Sequence, residues 1–268
     1  MKKLLIIDPQ NDFCDIAGAA LPVAGASADL ERLATFIAGA PLDGIAVTLD
    51  SHPSVAVERI TFWKTADGNS PAPFSFVTRA DVISGKFTPR DVSLTPQVLA
   101  MLDKLASTGR PGLVVWPVHC VTGTWGHNIF APLVEQLNQW EFTRQRAVRK
   151  VLKGEYPLTE HFGVFEADAP DEAVPSTRFN KTLAEELTQG VDVLFIAGEA
   201  GSHCVASSID QLMRYLNGIA EKHPRIILLT DCMSPVTGFE ADQEAFVLRA
   251  TAWGAETMTS AQATAMFN

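Results

Sequence analysis

A cysteine that could act as a nucleophile, Cys204, follows a run of small residues that includes Gly198, Ala200 and Gly201. The residues after it predict that a helix begins close to this cysteine. Helix N-termini expose unpaired N–H groups and a positive potential, which lower the pKa of a thiol and stabilise the thiolate. The small residues would let backbone amides approach an oxyanion. The alternative is a small cysteine packed beneath a helix.

Asp8 and Lys153 could complete a catalytic group with Cys204. A carboxylate beside a thiol can accept its proton, and a lysine can hold that carboxylate and offset negative charge as a thioester forms. Taken singly, Asp8 could be a turn residue after a strand and Lys153 a solvated surface lysine. The three residue types together predict nucleophilic catalysis by Cys204.

Asp50, His52 and His119 offer one carboxylate and two imidazoles, a donor set that suits Zn, Fe or Mn. Glu58 follows His52 in the same loop and could add a fourth ligand. These residues predict a divalent metal ion, with zinc as the first candidate, beside the catalytic group. The alternative is that both histidines are loop residues hydrogen-bonded to backbone. The other histidines lack ligand-like spacing, and we expect them at the surface or behind the site: His127, His161, His203 and His223.

Short apolar runs alternate with stretches of helical spacing along the chain. Most of the runs predict strands buried on both faces. The predicted strands are Leu4–Ile7, Ile45–Leu49, Leu113–Val115, Ala147–Leu152, Val193–Ala197 and Ile226–Thr230. The predicted helices are Ala28–Ile37, Pro96–Ala106, Asn128–Gln139, Thr182–Thr188, Cys204–Leu216 and Ala241–Ala252. This alternation predicts a Rossmann-like α/β fold, a three-layer sandwich around a mostly parallel six-stranded sheet.

The candidate residues come just after predicted strands. In open parallel sheets, ligands bind outside the carboxyl ends of the strands. Five predicted strands are followed by such residues, which are, in order, Asp8; Asp50 and His52; Trp116, His119 and Cys120; Lys153; and Cys204. One edge of the sheet is therefore predicted to gather the site.

The stretch at about 53–93 interrupts the alternation with four prolines and a scatter of aromatic residues. We interpret the chain as a single domain over residues 1–268, with this stretch inserted as a lid or as an oligomer contact. A homo-oligomer is therefore one reading of the insertion.

Composition argues against several classes of partner. The 268 residues carry a formal net charge of −10, which argues against nucleic acid because phosphate binding needs clustered Lys and Arg. No secretory signal and no apolar run of membrane-spanning length is recognised, so no membrane partner is expected. The four cysteines form no CxxC pair, which predicts a reduced, cytoplasmic protein.

Five motifs, in order along nearly the whole chain, resemble those of the isochorismatase-like cysteine hydrolases. Within that superfamily they most resemble the nicotinamidases. The motifs are Asp8-Pro9-Gln10-Asn11-Asp12-Phe13, Asp50-Ser51-His52-Pro53, Trp116-Pro117-Val118-His119-Cys120-Val121-x-Gly123-Thr124, Lys153-Gly154 and Gly198-x-Ala200-x-x-x-Cys204-Val205.

The resemblance implies roles for the residues within these motifs. The implied triad is Asp8, Lys153 and Cys204, and the implied metal ligands are Asp50, His52 and His119. The resemblance also implies an oxyanion hole at the amides of Ala200 and Cys204, with a cis peptide at Glu199-Ala200. Phe13 and Trp116 match positions that enclose a nicotinamide ring. The implied reaction, part of NAD turnover, converts nicotinamide to nicotinic acid and ammonia through a thioester, with the metal holding the pyridine nitrogen.

The chain departs from the family pattern in three respects. Glu58 stands where many bacterial nicotinamidases carry a further histidine ligand, and Ser202 replaces the usual acidic residue of the cysteine loop. Extra length lies in His52–Ser93 and in Phe165–Phe179. Because insertions shape pockets, the resemblance specifies the catalytic class more firmly than the substrate.

Two other functions compete with nicotinamide hydrolysis. One is an amidohydrolase acting on another small amide, and the other is a non-catalytic binding protein on the same fold. The first is disfavoured by the metal-type residues, and the second by the presence of all three triad members. A vinyl-ether hydrolase is disfavoured because that chemistry does not use the cysteine.

Overall fold

Six strands, all parallel, form the central sheet of the structure, a computed structural model that describes residues 1–219 and 223–267. Its strands are β1 (Lys2–Ile7), β2 (Gly44–Asp50), β7 (Arg149–Lys153), β8 (Val193–Gly198), β9 (Arg225–Leu229) and β10 (Glu256–Met258). The remaining strands are β3 (Trp63–Thr65), β4 (Ser75–Thr78), β5 (Phe87–Pro89) and β6 (Gly112–Val115). The order in the central sheet is β10-β9-β8-β1-β2-β7, which confirms the predicted fold class.

The six predicted helices are present close to their predicted positions, and two short helices that were not predicted, the second and the last along the described chain, are added to them. They are α1 (Ala26–Gly39), α2 (Arg79–Ile83), α3 (Thr95–Ser107), α4 (Ala131–Arg144), α5 (Lys181–Thr188), α6 (Ala206–Asn217), α7 (Glu240–Ala252) and α8 (Ser260–Ala265). A single π-helical turn, Gly201–Val205, precedes α6. Among the described residues, no helix is long and apolar enough to cross a membrane.

Helices cover both faces of the central sheet. Because side chains alternate along a strand, Leu4 and Ile6 of β1 face one core, and Leu5 and Ile7 face the other. The first core is closed by α1, α4 and α8, and the second by α5, α6 and α7. The sheet therefore has no solvated face in its middle, which explains its nearly uninterrupted apolar strands.

One predicted strand of the central sheet was assigned wrongly. Leu113–Val115 does form a strand, β6, but it pairs antiparallel with β4 outside the central sheet, and the sixth central strand is β10. The apolar side chains of Leu113 and Val115 are buried against α3 instead of against the central sheet. An apolar run predicts burial, but it does not say which core receives the side chains.

The stretch at about 53–93 has secondary structure and a core of its own. It contains β3, β4, β5 and α2, and its apolar side chains pack with those of α3 and β6. We call this group the satellite core; it includes Val57, Phe62, Trp63, Val77, Val82, Phe87, Val98, Leu102, Leu113 and Val115. The stretch is thus held by packing.

The sheet order changes direction beside β1. From β1 the chain adds β2 and then β7 on one side, and later adds β8, β9 and β10 on the other. Ligands bind at such switch points in open α/β sheets, outside the carboxyl ends of the strands. Asp8 follows β1 at this point, and Cys204 comes shortly after β8.

Candidate active site

Lys153 lies between two carboxylates at the switch point. Its Nζ is 2.9 Å from Oδ2 of Asp8 and 2.8 Å from Oδ1 of Asp50. The same ammonium is 3.7 Å from Sγ of Cys204 and donates to the carbonyl of His161 at 3.0 Å. The Asp8 carboxyl is also close enough to the Cys204 thiol to raise the pKa of that thiol. The structure thus brings together the three residues that the sequence grouped.

Burial and ion pairing set the charges of this group. Burial alone would lower the pKa of Lys153, but Asp50 and Asp8 hold it well above its ordinary value. Burial raises the pKa of Asp8, against the opposing effect of Lys153. For Asp50, burial is outweighed by His52 and Lys153, which keep its pKa well below the usual range. The lysine is therefore a permanent cation held between two carboxyl groups.

The thiol of Cys204 behaves differently from the sequence expectation. Burial raises its pKa well above the ordinary value, and the nearby Lys153 offsets only part of this rise. The expected lowering by a helix N-terminus was wrong, because the side chain is buried and lies close to Asp8 and Asp50. Cys204 is therefore a neutral thiol near pH 7, and any attack by its sulfur requires that the proton leave.

The loop before Cys204 needs glycine for close approach to β1. Gly198 has a φ of +118°, and a Cβ there would lie 2.0 Å from the backbone oxygen of Ile7. The Glu199-Ala200 peptide is cis, as the resemblance implied. The π-helical turn then places Ala200 and Cys204 together at the wall of one cleft.

Polar residues of the first motif fasten the loops around the site. The side-chain amide of Gln10 accepts from the backbone N–H of Asp50 at 2.7 Å and donates to the Asp50 carbonyl at 2.8 Å. Asp12 accepts from the backbone N–H of Cys120 at 2.7 Å, next to His119. These two buried side chains therefore position residues after β2 and β6, a role that the sequence reasoning did not assign.

The predicted metal ligands meet in a buried cluster. Nε2 of His52 lies 2.8 Å from Oδ1 of Asp50, and Nε2 of His119 lies 3.4 Å from Oδ2 of the same carboxylate. Glu58 lies on the far side of His52, with Oε1 2.9 Å from Nδ1. Gly154 (φ +86°) makes room, since a Cβ there would be 2.5 Å from the His52 ring. Asp50 thus contacts one ring nitrogen of His52, and Glu58 contacts the other.

Arg59, which the sequence reasoning did not select, is part of the same cluster. It is completely buried, its Nε is 3.2 Å from Oε1 of Glu58, and its Nη1 contacts both ring nitrogens of His119. A backbone hydrogen bond explains why Arg59 and His119 are in contact. The Trp116 N–H donates to the Glu58 carbonyl at 2.7 Å, which aligns the loops after β2 and β6.

The donor types suit a divalent metal, but their arrangement does not. Within residues 1–219 and 223–267, no group of three or more His, Cys, Asp and Glu side chains could hold a metal ion. The Arg59 guanidinium lies against the nitrogens that His119 would offer, and both nitrogens of His52 face carboxylates. Two unit charges 4 Å apart interact by about 4 kcal/mol at an effective dielectric of 20, and a divalent ion beside the guanidinium would be repelled about twice as strongly. A divalent metal ion therefore does not fit this arrangement.

The cleft above these residues has a lining of two kinds. Its polar wall consists of Asp50, His119, Glu160 and Cys204. Its aromatic wall consists of Phe13, Trp116, Phe162 and His203. Leu21, Ala200 and Val236 complete the lining. Such a lining suits a small molecule with one apolar and one polar side.

Ring contacts hold the aromatic wall. Trp116 packs edge-to-face against His203 at 5.3 Å and against Phe162 at 6.1 Å between ring centroids. Phe13 lies 5.3 Å from the ring of His119. Burial lowers the pKa of His203 to about 4, so this ring is neutral near pH 7. His203 was expected at the surface or behind the site, and it lines the cleft instead.

Glu160 is a second charged residue that the sequence reasoning missed. It is 5% exposed, and its Oε1 accepts from the backbone N–H of His161 at 3.0 Å. Oε2 has no hydrogen-bond partner among the described residues. Burial, with a contribution from Glu58, raises the pKa of Glu160 to about 8. The cleft therefore presents a carboxyl group that is mainly protonated at neutral pH.

Sequence comparison relates the chain to a characterised enzyme. No family model matches it. The chain is 28% identical over 210 residues to the nicotinamidase of Saccharomyces cerevisiae, which covers 78% of this chain and 79% of the yeast protein.

Solved structures share the fold over nearly their whole length. A nicotinamidase and pyrazinamidase of Acinetobacter baumanii superposes with a TM-score of 0.66 at 17% identity, covering 97% of each chain. PnC1 of L. infantum, solved in complex with nicotinate, gives 0.60 at 20% identity and covers 97% of this chain and 93% of its own. The pyrazinamidase of Pyrococcus horikoshii, solved in complex with zinc, gives 0.53 at 20% identity, covering 96% and 98%. The predicted resemblance to nicotinamidases is confirmed, in sequence by the yeast enzyme and in fold by these solved structures.

Proposed function

We propose that this chain is an amidohydrolase that converts nicotinamide to nicotinic acid and ammonia, with Cys204 as the nucleophile. The coarser assignment, a hydrolase of an amide carbon–nitrogen bond, follows from the similarity to nicotinamidases. The observation that carries the finer one is the contact of Cys204 with Asp8 and Lys153 beneath a cleft with one polar and one aromatic wall. A flat aromatic amide likewise has an apolar part, its ring, and a polar part, its carboxamide group.

The first half of the reaction forms a thioester. Sγ of Cys204 attacks the carboxamide carbon while the neighbouring Asp8 accepts its proton. The amides of Ala200 and Cys204 are assigned to the oxyanion. Asp8 then passes the proton to the amide nitrogen, the carbon–nitrogen bond breaks, and ammonia leaves.

The second half releases the acid. A water gives a proton to Asp8 and attacks the thioester carbonyl; the carbon–sulfur bond breaks and the proton returns to Sγ. Lys153 stays charged throughout and stabilises the Asp8 carboxylate whenever it is ionised, because the two groups are 2.9 Å apart. The transferred protons thus move between four places: sulfur, the Asp8 carboxylate, the substrate and the attacking water.

The substrate is assigned to the space between the two walls. Phe13 and Trp116 are proposed to enclose the pyridine ring, and stacking of this kind contributes about 0.5–1.5 kcal/mol beyond the area buried. The protonated Glu160 carboxyl is able to donate a hydrogen bond to a ring nitrogen. A place in NAD turnover and a cytoplasmic location are parts of the same proposal.

Ammonia release from nicotinamide, measured with a coupled enzyme and matched to nicotinic acid by chromatography, tests the proposal. The expected result is equal amounts of both products from the wild type and neither from Cys204→Ala. Turnover of a different small amide without turnover of nicotinamide would move the assignment to that amide. Nicotinamide binding without any turnover of amides would instead support a binding protein.

A further inference from the structure

Arg59 is a buried residue that contacts several residues of the site. It lies in the loop after β2, and its guanidinium is enclosed by Glu58, His119 and the carbonyl of Pro117, to which Nη1 donates at 3.2 Å. None of its surface is exposed. An arginine is almost never buried without partners, because an uncompensated charge is costly to remove from water. The loops are therefore built to receive a cation at this point.

The hydrogen bonding of His119 shows what this cation does. A neutral imidazole offers one lone pair, and a guanidinium has only donors. If Nδ1–H donates to the Pro117 carbonyl, 2.8 Å away, then Nε2 accepts from Arg59 at 3.1 Å. If Nε2–H faces Asp50 instead, then Nδ1 accepts from Arg59. In both tautomers the ring nitrogen that carries the lone pair lies within hydrogen-bond distance of the arginine.

We propose that Arg59 is a built-in cation that takes the place of a resident divalent metal ion in this site. Asp50 and His119 line the cleft, whereas Arg59 lies behind His119. Arg59 is therefore a positioning residue, which fixes the imidazole at the cleft wall and supplies a positive charge that does not dissociate. The inference goes beyond the proposed function, because it concerns metal binding and can be tested without a substrate.

The metal content of the wild-type protein is the primary test. The protein is produced in medium supplemented with zinc, iron and manganese, dialysed against metal-free buffer, and analysed by mass spectrometry for all three metals. A zinc enzyme carried through the same steps serves as the positive control. We expect less than about 0.1 metal ion for each chain, where a resident site retains roughly one. Roughly one tightly bound ion for each chain would overturn the proposal.

Variants of Arg59 then test whether this residue is the reason. Arg59→His exchanges the cation for a third imidazole, and we expect zinc, titrated against a chromophoric chelator, to bind on the order of 100-fold more tightly than to the wild type. Arg144→His adds a histidine at an exposed position in α4 and should change nothing. Arg59→Gln keeps hydrogen-bond donors without the charge and should gain about 10-fold in zinc affinity. A metal-free wild type whose folded Arg59 variants gain no affinity would refute the assignment to Arg59.

Activity separates this inference from the proposed function. A metal-free wild type that leaves nicotinamide intact supports the inference on Arg59 and overturns the substrate. Nicotinamide turnover that is lost on chelation and restored by zinc would support the proposed substrate and overturn the inference on Arg59. Arg59→Lys, which keeps the charge, should retain more turnover than Arg59→Gln, and equal loss in both would contradict a role for the charge.

Discussion

The two walls of the cleft are held by different forces. Two side chains of the polar wall, Asp50 and His119, contact the lysine and arginine behind them at about 3 Å, between residues far apart in sequence. The aromatic wall is held by ring contacts of 5 to 6 Å between loops. Short charged contacts tolerate little change, whereas ring contacts are individually weak and adaptable. We therefore expect the polar wall to control turnover and the aromatic wall to control affinity.

Replacing the nucleophile should have the largest effect. Cys204→Ala is expected to lower ammonia release on the order of 10⁴-fold, because no other group on the polar wall can form the acyl intermediate. Circular dichroism and the melting temperature should show an intact fold. Cys232→Ala, which removes a buried thiol in the core closed by α1 and α4, is the matched control and should keep its activity. Turnover by Cys204→Ala would remove this residue from the mechanism.

Removing the cation between the carboxylates should cost stability as well as activity. Lys153→Met keeps the length of the side chain but leaves Asp8 and Asp50 without their shared partner. Breaking a buried pair in this way costs about 3–5 kcal/mol, which urea denaturation would measure. Lys150→Met, on the exposed side of β7, should change stability by less than about 0.5 kcal/mol. Equal stability of the two variants would show that the buried contacts are worth little.

Changing the aromatic wall should affect binding more than turnover. Trp116→Phe retains a ring but loses area in the cleft, so we expect KM for nicotinamide to rise about 10-fold with kcat nearly unchanged. Trp125→Phe is the control, since Trp125 is half exposed and does not line the cleft. A fall in kcat with an unchanged KM would mean that the two walls do not divide the work as proposed.

The last prediction concerns the pH dependence of stability. The folded pKa of Glu160 is about 8, above its ordinary value of 4.5, so the folded chain holds this proton more tightly than the unfolded chain. The stability contributed by the group is complete below pH 4.5 and is lost as pH rises to about 8. Glu160→Gln does not ionise and should escape this loss.

Melting temperatures between pH 5 and pH 9 check this expectation. As pH rises, the melting temperature of the variant should increase relative to that of the wild type. The difference should be about 2–4 °C for each kcal/mol of stability that the wild type loses. Glu172→Gln, at an exposed position, should follow the wild-type curve throughout. A constant difference between Glu160→Gln and the wild type at all pH values would mean that Glu160 does not titrate in this range.

Much of the fold followed from local patterns, and the failures have physical reasons. The predicted strands at Asp8 and Asp50 are present, because a strand buried on both faces has a long apolar run and ends where polar residues begin. The predicted strand at Lys153 is also present, although several of its residues are exposed. The predicted strand Leu113–Val115 is also present, but it packs in the satellite core. His119 still reaches the site, since its loop pairs with the loop after β2. Strand formation was readable in the sequence, and the choice of partner was not.

The sequence by itself identified the candidate triad of Cys204, Asp8 and Lys153, since each residue lies at or after the end of a strand that the apolar pattern marks. Only the tertiary structure decided that Arg59 contacts His119 and that Glu160 faces the cleft. Charged residues are normally solvated, so nothing in their local sequence signals burial. Their environment is made by segments distant along the chain, and it exists only once the loops after β2, β6 and β7 have packed together.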